Sequence, residues 1–191
     1  MAADLTARSF ASLTRSHLNR LAAMADTQHA QFAREGTRQR AWANRRVAVV
    51  LAQGGAQHFI DGTNGVKDLD VWTFYAALPG LPLRCGRYEA HAGFGRSVHG
   101  RQLYPPDFVY RQARTWQAYQ GRRVDFLVRD LRIDAGAATE QVTAALRPWL
   151  TAGSHARGSR LGVHPTPWHL SRKAMIWLAP AAAGEVIWPA G

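Results

Sequence analysis

A chain of 191 residues, 47% hydrophobic and 19% charged, carries enough apolar material for one folded domain and too much for wholesale disorder. No apolar run reaches the roughly 18–20 residues that cross a bilayer, and the first residues lack the basic start and apolar core of a secretory leader. Cys85 is the only cysteine, so no internal disulfide forms, and a reducing, cytoplasmic setting with no membrane partner is expected.

The net charge is +11, from 22 Arg and 2 Lys against 13 acids. Such a surplus gathers polyanions, either nucleotides or nucleic acid, although a GC-rich coding sequence also writes arginine. The charge is unevenly spread: residues 1–46 sum to +5, 84–132 to +6 and 133–191 to +2, whereas 47–83 sum to −2. An acidic island in basic surroundings is the pattern expected where a divalent cation meets a phosphate.

In chain order, Phe10, Leu13, Leu18, Leu21 and Met24 fall on one stripe at helical spacing, and Asp26-Thr27 is the expected break before a second, mostly polar helix reaching about Asn44. Residues 1–45 thus read as a helical extension and 46–191 as a catalytic domain, in a single globular unit. Residues 46–53 (RVAVVLAQ) form a β-branched apolar run that predicts a buried strand, stopped by a tight turn at Gly54-Gly55. Residues 61–65 are a loop by composition, and 68–75 (DLDVWTFY) predict a second strand, closed by Pro79-Gly80. Residues 84–120, rich in Arg, Gly and aromatics, yield no clear element. Residues 123–131 (RVDFLVRDL) predict a third strand, and 139–150 a helix with Val142, Ala145, Leu146, Trp149 and Leu150 on one face. Two short apolar runs, 174–178 and 185–188, are either a hairpin or a helix followed by a strand. The mixture predicts an α+β class with an α/β-type core.

Twelve residues separate Gly55 from Asp68, and Asp68 and Asp70 flank Leu69. On a strand, residues two apart share a face, so Asp68 and Asp70 point together while Leu69 and Val71 enter the core. Two adjacent carboxylates repel unless a cation lies between them, and Mg²⁺ or Mn²⁺, hard ions that take oxygen ligands and phosphates, suit that place. A glycine pair lets a backbone approach a phosphate and offer its amides. Trp72 and Phe74 are expected as walls beneath the acidic pair.

These residues, Gly54, Gly55, Asp68 and Asp70, resemble the signature of the DNA polymerase β-like nucleotidyltransferase superfamily: a glycine turn after a strand, a spacer, then acid–apolar–acid–apolar. Its third acid, on a later strand, corresponds to Asp125 between Val124 and Phe126. The resemblance covers residues 47–75 well and 123–128 loosely. It implies a mixed sheet of few strands packed by helices. It also implies that Asp68, Asp70 and Asp125 hold two divalent ions, with Asp125 a candidate for taking the proton from an acceptor hydroxyl. A nucleotidyl group would pass from a nucleoside triphosphate, ATP or CTP, to that acceptor. The acceptor is open: RNA or another polyanion, a small molecule, or a protein hydroxyl. The minimal size is similar to that of toxin-type nucleotidyltransferases.

Further candidates come from the residues themselves. Lys173, at the edge of an apolar run, is placed to serve a triphosphate as a point charge or to remain a surface lysine. His58, four residues beyond Gly54, is a nucleotide contact or a structural histidine. Arg122-Arg123 are phosphate contacts or an exposed edge pair, and Lys67 is a loop-end charge. The competing functional reading is a catalytically silent module of the same fold that binds nucleotide or nucleic acid.

Overall fold

A computed structural model describes residues 12–62, 66, 68–81, 83, 85–90, 93–95, 122–151 and 174–189. Their architecture is α+β, as expected. The elements are α1 (Arg15–Phe32), α2 (Thr37–Arg40), β1 (Arg46–Ala52), α3 (Gln53–Asp61), β2 (Asp68–Ala76), β3 (Cys85–Ala90), β4 (Arg123–Leu131), α4 (Thr139–Thr151), β5 (Met175–Ala179) and β6 (Val186–Trp188). The strands form one mixed sheet in the order β3-β4-β2-β1-β5-β6. The β2–β4 pair is parallel and the others are antiparallel.

Strand alternation sorts the apolar residues onto two faces. On one face, Val49, Leu51, Leu69, Val71, Val124 and Phe126 pack with Leu18, Leu21 and Ala25 of α1 and Ala56 of α3. On the other, Val50, Ala52, Trp72 and Phe74 cluster with Val142 and Leu146 of α4. Helix α1 therefore shares the main core with the sheet, which ties the N-terminal helical region to the strands. A third cluster, Phe32, Trp42, Tyr75 and Leu83, lies at the far end of β2 from Asp68. There Arg45 donates to the carbonyls of Ala76 (2.9 Å) and Ala77 (3.1 Å).

The helical stripe around Leu18 and Leu21 is real, but the expected break at Asp26-Thr27 does not occur. Helix α1 starts with a capping box, in which Thr14 and His17 exchange side-chain and backbone hydrogen bonds, and it runs on to Phe32. Thr27 Oγ1 donates to the Ala23 carbonyl (3.1 Å) and Asp26 pairs with Arg46 (2.7 Å), so both residues find partners without leaving the helix. The second helix shrinks to the four residues of α2, because the polar stretch offers no apolar stripe to bury. The two late apolar runs are the β5–β6 hairpin, whose turn needs Gly184: its φ is +92°, and an added Cβ would lie 2.9 Å from the Phe59 ring. Strand β3 falls in the stretch that sequence patterning left unassigned. It pairs antiparallel with β4 from Cys85↔Val128 to Ala90↔Arg123.

His29 Nδ1 lies 2.7 Å from the Tyr75 hydroxyl, where α1 meets β2. Burial, helped by the Arg46 charge, pushes the imidazole pKa below its ordinary 6.5, against smaller opposing effects of the Ala43 carbonyl and Asp26. The folded state thus binds this proton less readily than the unfolded chain. Its stabilisation is complete at neutral pH and is lost as the pH falls below 6.5 toward the lowered value. The melting temperature is expected to fall between pH 7 and pH 5, and to fall less in His29→Gln, as read by thermal denaturation across that range.

Candidate functional site

Alternation along β2 places Asp68 and Asp70, both half-buried, on the face that also carries Trp72 and Phe74, while Leu69 and Val71 turn fully into the α1/α3 core. Trp72 and Phe74, expected as walls beneath the acids, stack on each other at 6.2 Å within the α4-side core, with the Arg129 guanidinium 4.6 Å from the Trp72 ring. The parallel register then sets Asp70 beside Asp125 and Asp68 beside Arg123. Register partners on neighbouring strands share a face, their backbones about 4.8 Å apart. Asp125, distant in the sequence, is thereby set at the same end of the same face as Asp68 and Asp70. Asp125 is the deepest, 7% exposed.

The glycine pair follows β1, whose end is level with Asp70. Ala52, the last residue of β1, is the register partner of Asp70 on the side opposite Asp125, and α3 begins at the next residue. The expected tight turn at Gly54-Gly55 is corrected: both glycines belong to the first turn of α3. The corner between strand and helix is made instead by Gln53, at φ +59°, whose amide donates to the Ala174 carbonyl (2.7 Å). Ala52, at the N-cap position, has no side-chain acceptor for the first-turn amides, and that turn holds no acidic residue. Uncapped amides and the positive end of the helix dipole favour an anion there.

The two glycines differ in what they do. A Cβ on Gly55 would meet Leu51 Cδ1 at 3.1 Å and Leu69 Cδ2 at 3.2 Å, so this glycine lets α3 seat on the sheet. A Cβ on Gly54 would meet nothing within 4 Å, and its φ does not call for glycine. Packing among the described residues gives no reason for glycine at 54.

Carboxylate oxygens are the donors that Mg²⁺ or Mn²⁺ takes, and Asp70 and Asp125 share a face at neighbouring register positions. Among the described residues, however, no three His, Cys, Asp or Glu side chains are grouped closely enough to hold an ion. The Asp125 carboxylate lies 3.9 Å from the Nε of Arg123.

Other expected contacts fare differently. His58 is on α3 but only 3% exposed, which withdraws it from any nucleotide bound at the surface. Lys67 and Lys173 lie outside the described residues. Arg122-Arg123 are not an exposed pair. Alternation sends them to opposite faces: Arg122 is fully buried, its pKa lowered by desolvation, while Arg123 joins the acids. Sequence reasoning passed over Arg123 in this role, although its spacing of two from Asp125 on a predicted strand carried the signal.

The glycine asymmetry is testable by thermal melting. Gly55→Ala is expected to lower stability by about 1 kcal/mol, roughly 2–4 °C, as overpacking against two buried leucines outweighs the gain in helix propensity. Gly54→Ala is expected to leave the melting temperature unchanged or slightly raised. No protein-family model, curated protein or solved structure matches this chain, so what it does must be argued from its own residues.

Proposed function

We propose that this protein is a divalent-metal-dependent nucleotidyltransferase, moving a nucleotidyl group from a nucleoside triphosphate, ATP or CTP, to an acceptor hydroxyl. The observation that supports the reading is the register that sets Asp125 next to Asp70, on the face Asp70 shares with Asp68, with β1 ending opposite Asp70 where α3 begins. Asp68, Asp70 and Asp125 are the residues that would hold Mg²⁺ or Mn²⁺. A bound divalent ion supplies charge neutralisation for the phosphates and lowers the pKa of the attacking hydroxyl.

The chain's own part is positioning. The amides of the first turn of α3 hold phosphate oxygens, with the backbone at Gly54 left open by the missing side chain. Asp125, the register partner of Asp70 and the most enclosed of the three acids, would accept the acceptor's proton as the new O–P bond forms and pyrophosphate leaves. The Trp72–Phe74 stack would give the acids a rigid floor. The basic stretch 84–132, at +6, supports RNA or another polyanion as acceptor. No helix among the described residues is long and apolar enough to cross a membrane. We set the activity in the cytoplasm, in keeping with a lone cysteine.

One observation favours a second reading, a silent nucleotide-binding module: the described acids are not grouped as an ion site. A single experiment separates the two. The protein is incubated with α-labelled ATP or CTP, Mg²⁺ and pools of total RNA or small molecules, and pyrophosphate release and label transfer are followed. Transfer is expected, with Asp68→Asn or Asp70→Asn reducing it at least about 100-fold at near-unchanged melting temperature. Nucleotide binding without release under every acceptor would favour the silent module. Full activity in Asp70→Asn would overturn the enzymatic reading.

A further inference from the structure

The corner where α1 ends and β1 begins is strongly basic. Residues 33–46 hold five arginines and a single acid, Glu35, and sum to +4. The arginines fall into two groups. Arg45 and Arg46 are built into the fold: Arg45 donates to the Ala76 and Ala77 carbonyls, and Arg46 pairs with Asp26. Arg34, Arg38 and Arg40 are exposed. The backbone that carries them is held by its own hydrogen bonds, from Arg34 to Gln31 (2.9 Å), Arg40 to Gly36 (2.9 Å), Trp42 to Gln39 (3.0 Å) and Arg45 to Trp42 (3.0 Å). Phe32 and Trp42, both buried, fix the two ends of the connection against the Tyr75 ring, at 5.7 and 6.0 Å between centroids. A frame ordered in advance costs little entropy when a ligand binds.

We infer that this corner docks the phosphodiester backbone of a nucleic-acid strand, with Arg34, Arg38 and Arg40 contacting its phosphates. A guanidinium fork matches phosphate oxygens, and the exposed Thr37 and Asn44 add neutral polar groups beside the charges. What the corner lacks tells against other polyanions. Among the described residues the large hydrophobic side chains that are exposed are Ile60 and Val186, and neither belongs to this connection. A protein partner would need an apolar or aromatic anchor at the centre of its interface, and a membrane surface would take apolar side chains into the headgroup layer. Here Phe32 and Trp42 are turned inward, so charge and hydrogen bonding are what the surface offers, which is what a phosphate backbone takes. The inference goes beyond the nucleotidyltransferase reading and stands without it. Arg46 is the register partner of Tyr75, seven residues along β2 from Asp68, about 23 Å away at roughly 3.3 Å per residue.

The test follows binding by fluorescence anisotropy, using labelled single strands of RNA and of DNA about 20 nucleotides long, between about 50 and 200 mM salt. Replacing Arg34, Arg38 and Arg40 together by Gln is expected to weaken binding about 100-fold near 0.1 M salt. It should also flatten the slope of log affinity against log salt by about two, at roughly 0.7 for each phosphate contact. Replacing the same three by Lys should keep most of the affinity, because a backbone contact reads charge. A control with the same net charge, Arg15→Gln, Arg20→Gln and Arg147→Gln combined, should lose no more than about fivefold. Tighter binding of RNA than of DNA would add a 2′-hydroxyl contact to the surface, and equal binding would assign it to the phosphates alone. Equal losses in the two Gln triples would overturn the inference, since net charge would then suffice. So would an unchanged affinity in the first triple, failure of the unsubstituted protein to bind either strand, or binding to phosphatidylserine vesicles in place of both. Melting curves identify any loss that comes from misfolding. Absence of nucleotidyl transfer would leave this surface standing, because no arginine in it belongs to the acidic end.

Discussion

The parallel pairing of β2 with β4 is the constraint on which the site depends. Each strand taken alone carries acids at its N-terminal end, and only this register sets Asp70 next to Asp125 and Asp68 next to Arg123. A shift of one residue would send Asp125 to the α1/α3 face and bring Arg122 into the acidic patch. What prevents the shift is apolar: Val124 and Phe126 belong to the same core cluster as Leu69 and Val71, so sliding β4 would expose two large side chains to solvent and bury a charge. The electrostatically unfavourable patch is thus held together by hydrophobic packing on the reverse side of the sheet.

The seat of α3 follows the same logic. Its first turn starts level with Asp70 because β1 ends opposite that residue and the chain turns at once, at Gln53. The left-handed conformation of a non-glycine residue is disfavoured, and here it is held by the amide bond to Ala174 and by the packing of the helix that follows. Gly55 permits close contact with Leu51 and Leu69, whereas Gly54 leaves the adjacent backbone uncovered. One glycine answers to the core and its neighbour to the surface, although the dipeptide reads as a single motif.

Much of the fold was legible because local pattern and tertiary outcome agreed. The strands at 46–52, 68–76 and 123–131 and the helix from Thr139 are long, strongly patterned segments in which periodicity had no competitor. What local pattern missed or left open was settled by distant partners. Asp26-Thr27 has the composition of a break, yet Arg46, on a strand distant in sequence, supplies Asp26 with a partner. Strand β3 contains Gly86 and lies in Arg-rich sequence, and its strand state comes from β4 offering an edge to pair with. His58 was open between a ligand contact and a structural histidine, and its place on α3 makes it internal.

The sequence alone determined which residues carry charge, that Asp68 and Asp70 share a face, and that glycines precede them after a strand, since each of these follows from composition and from a period of two. Which strand lies beside β2, and in which direction it runs, was beyond its reach. Strand order is set by long-range packing among all the elements, and no local period encodes it. That choice decided that Asp125 lies next to Asp70 and that Arg123 lies next to Asp68.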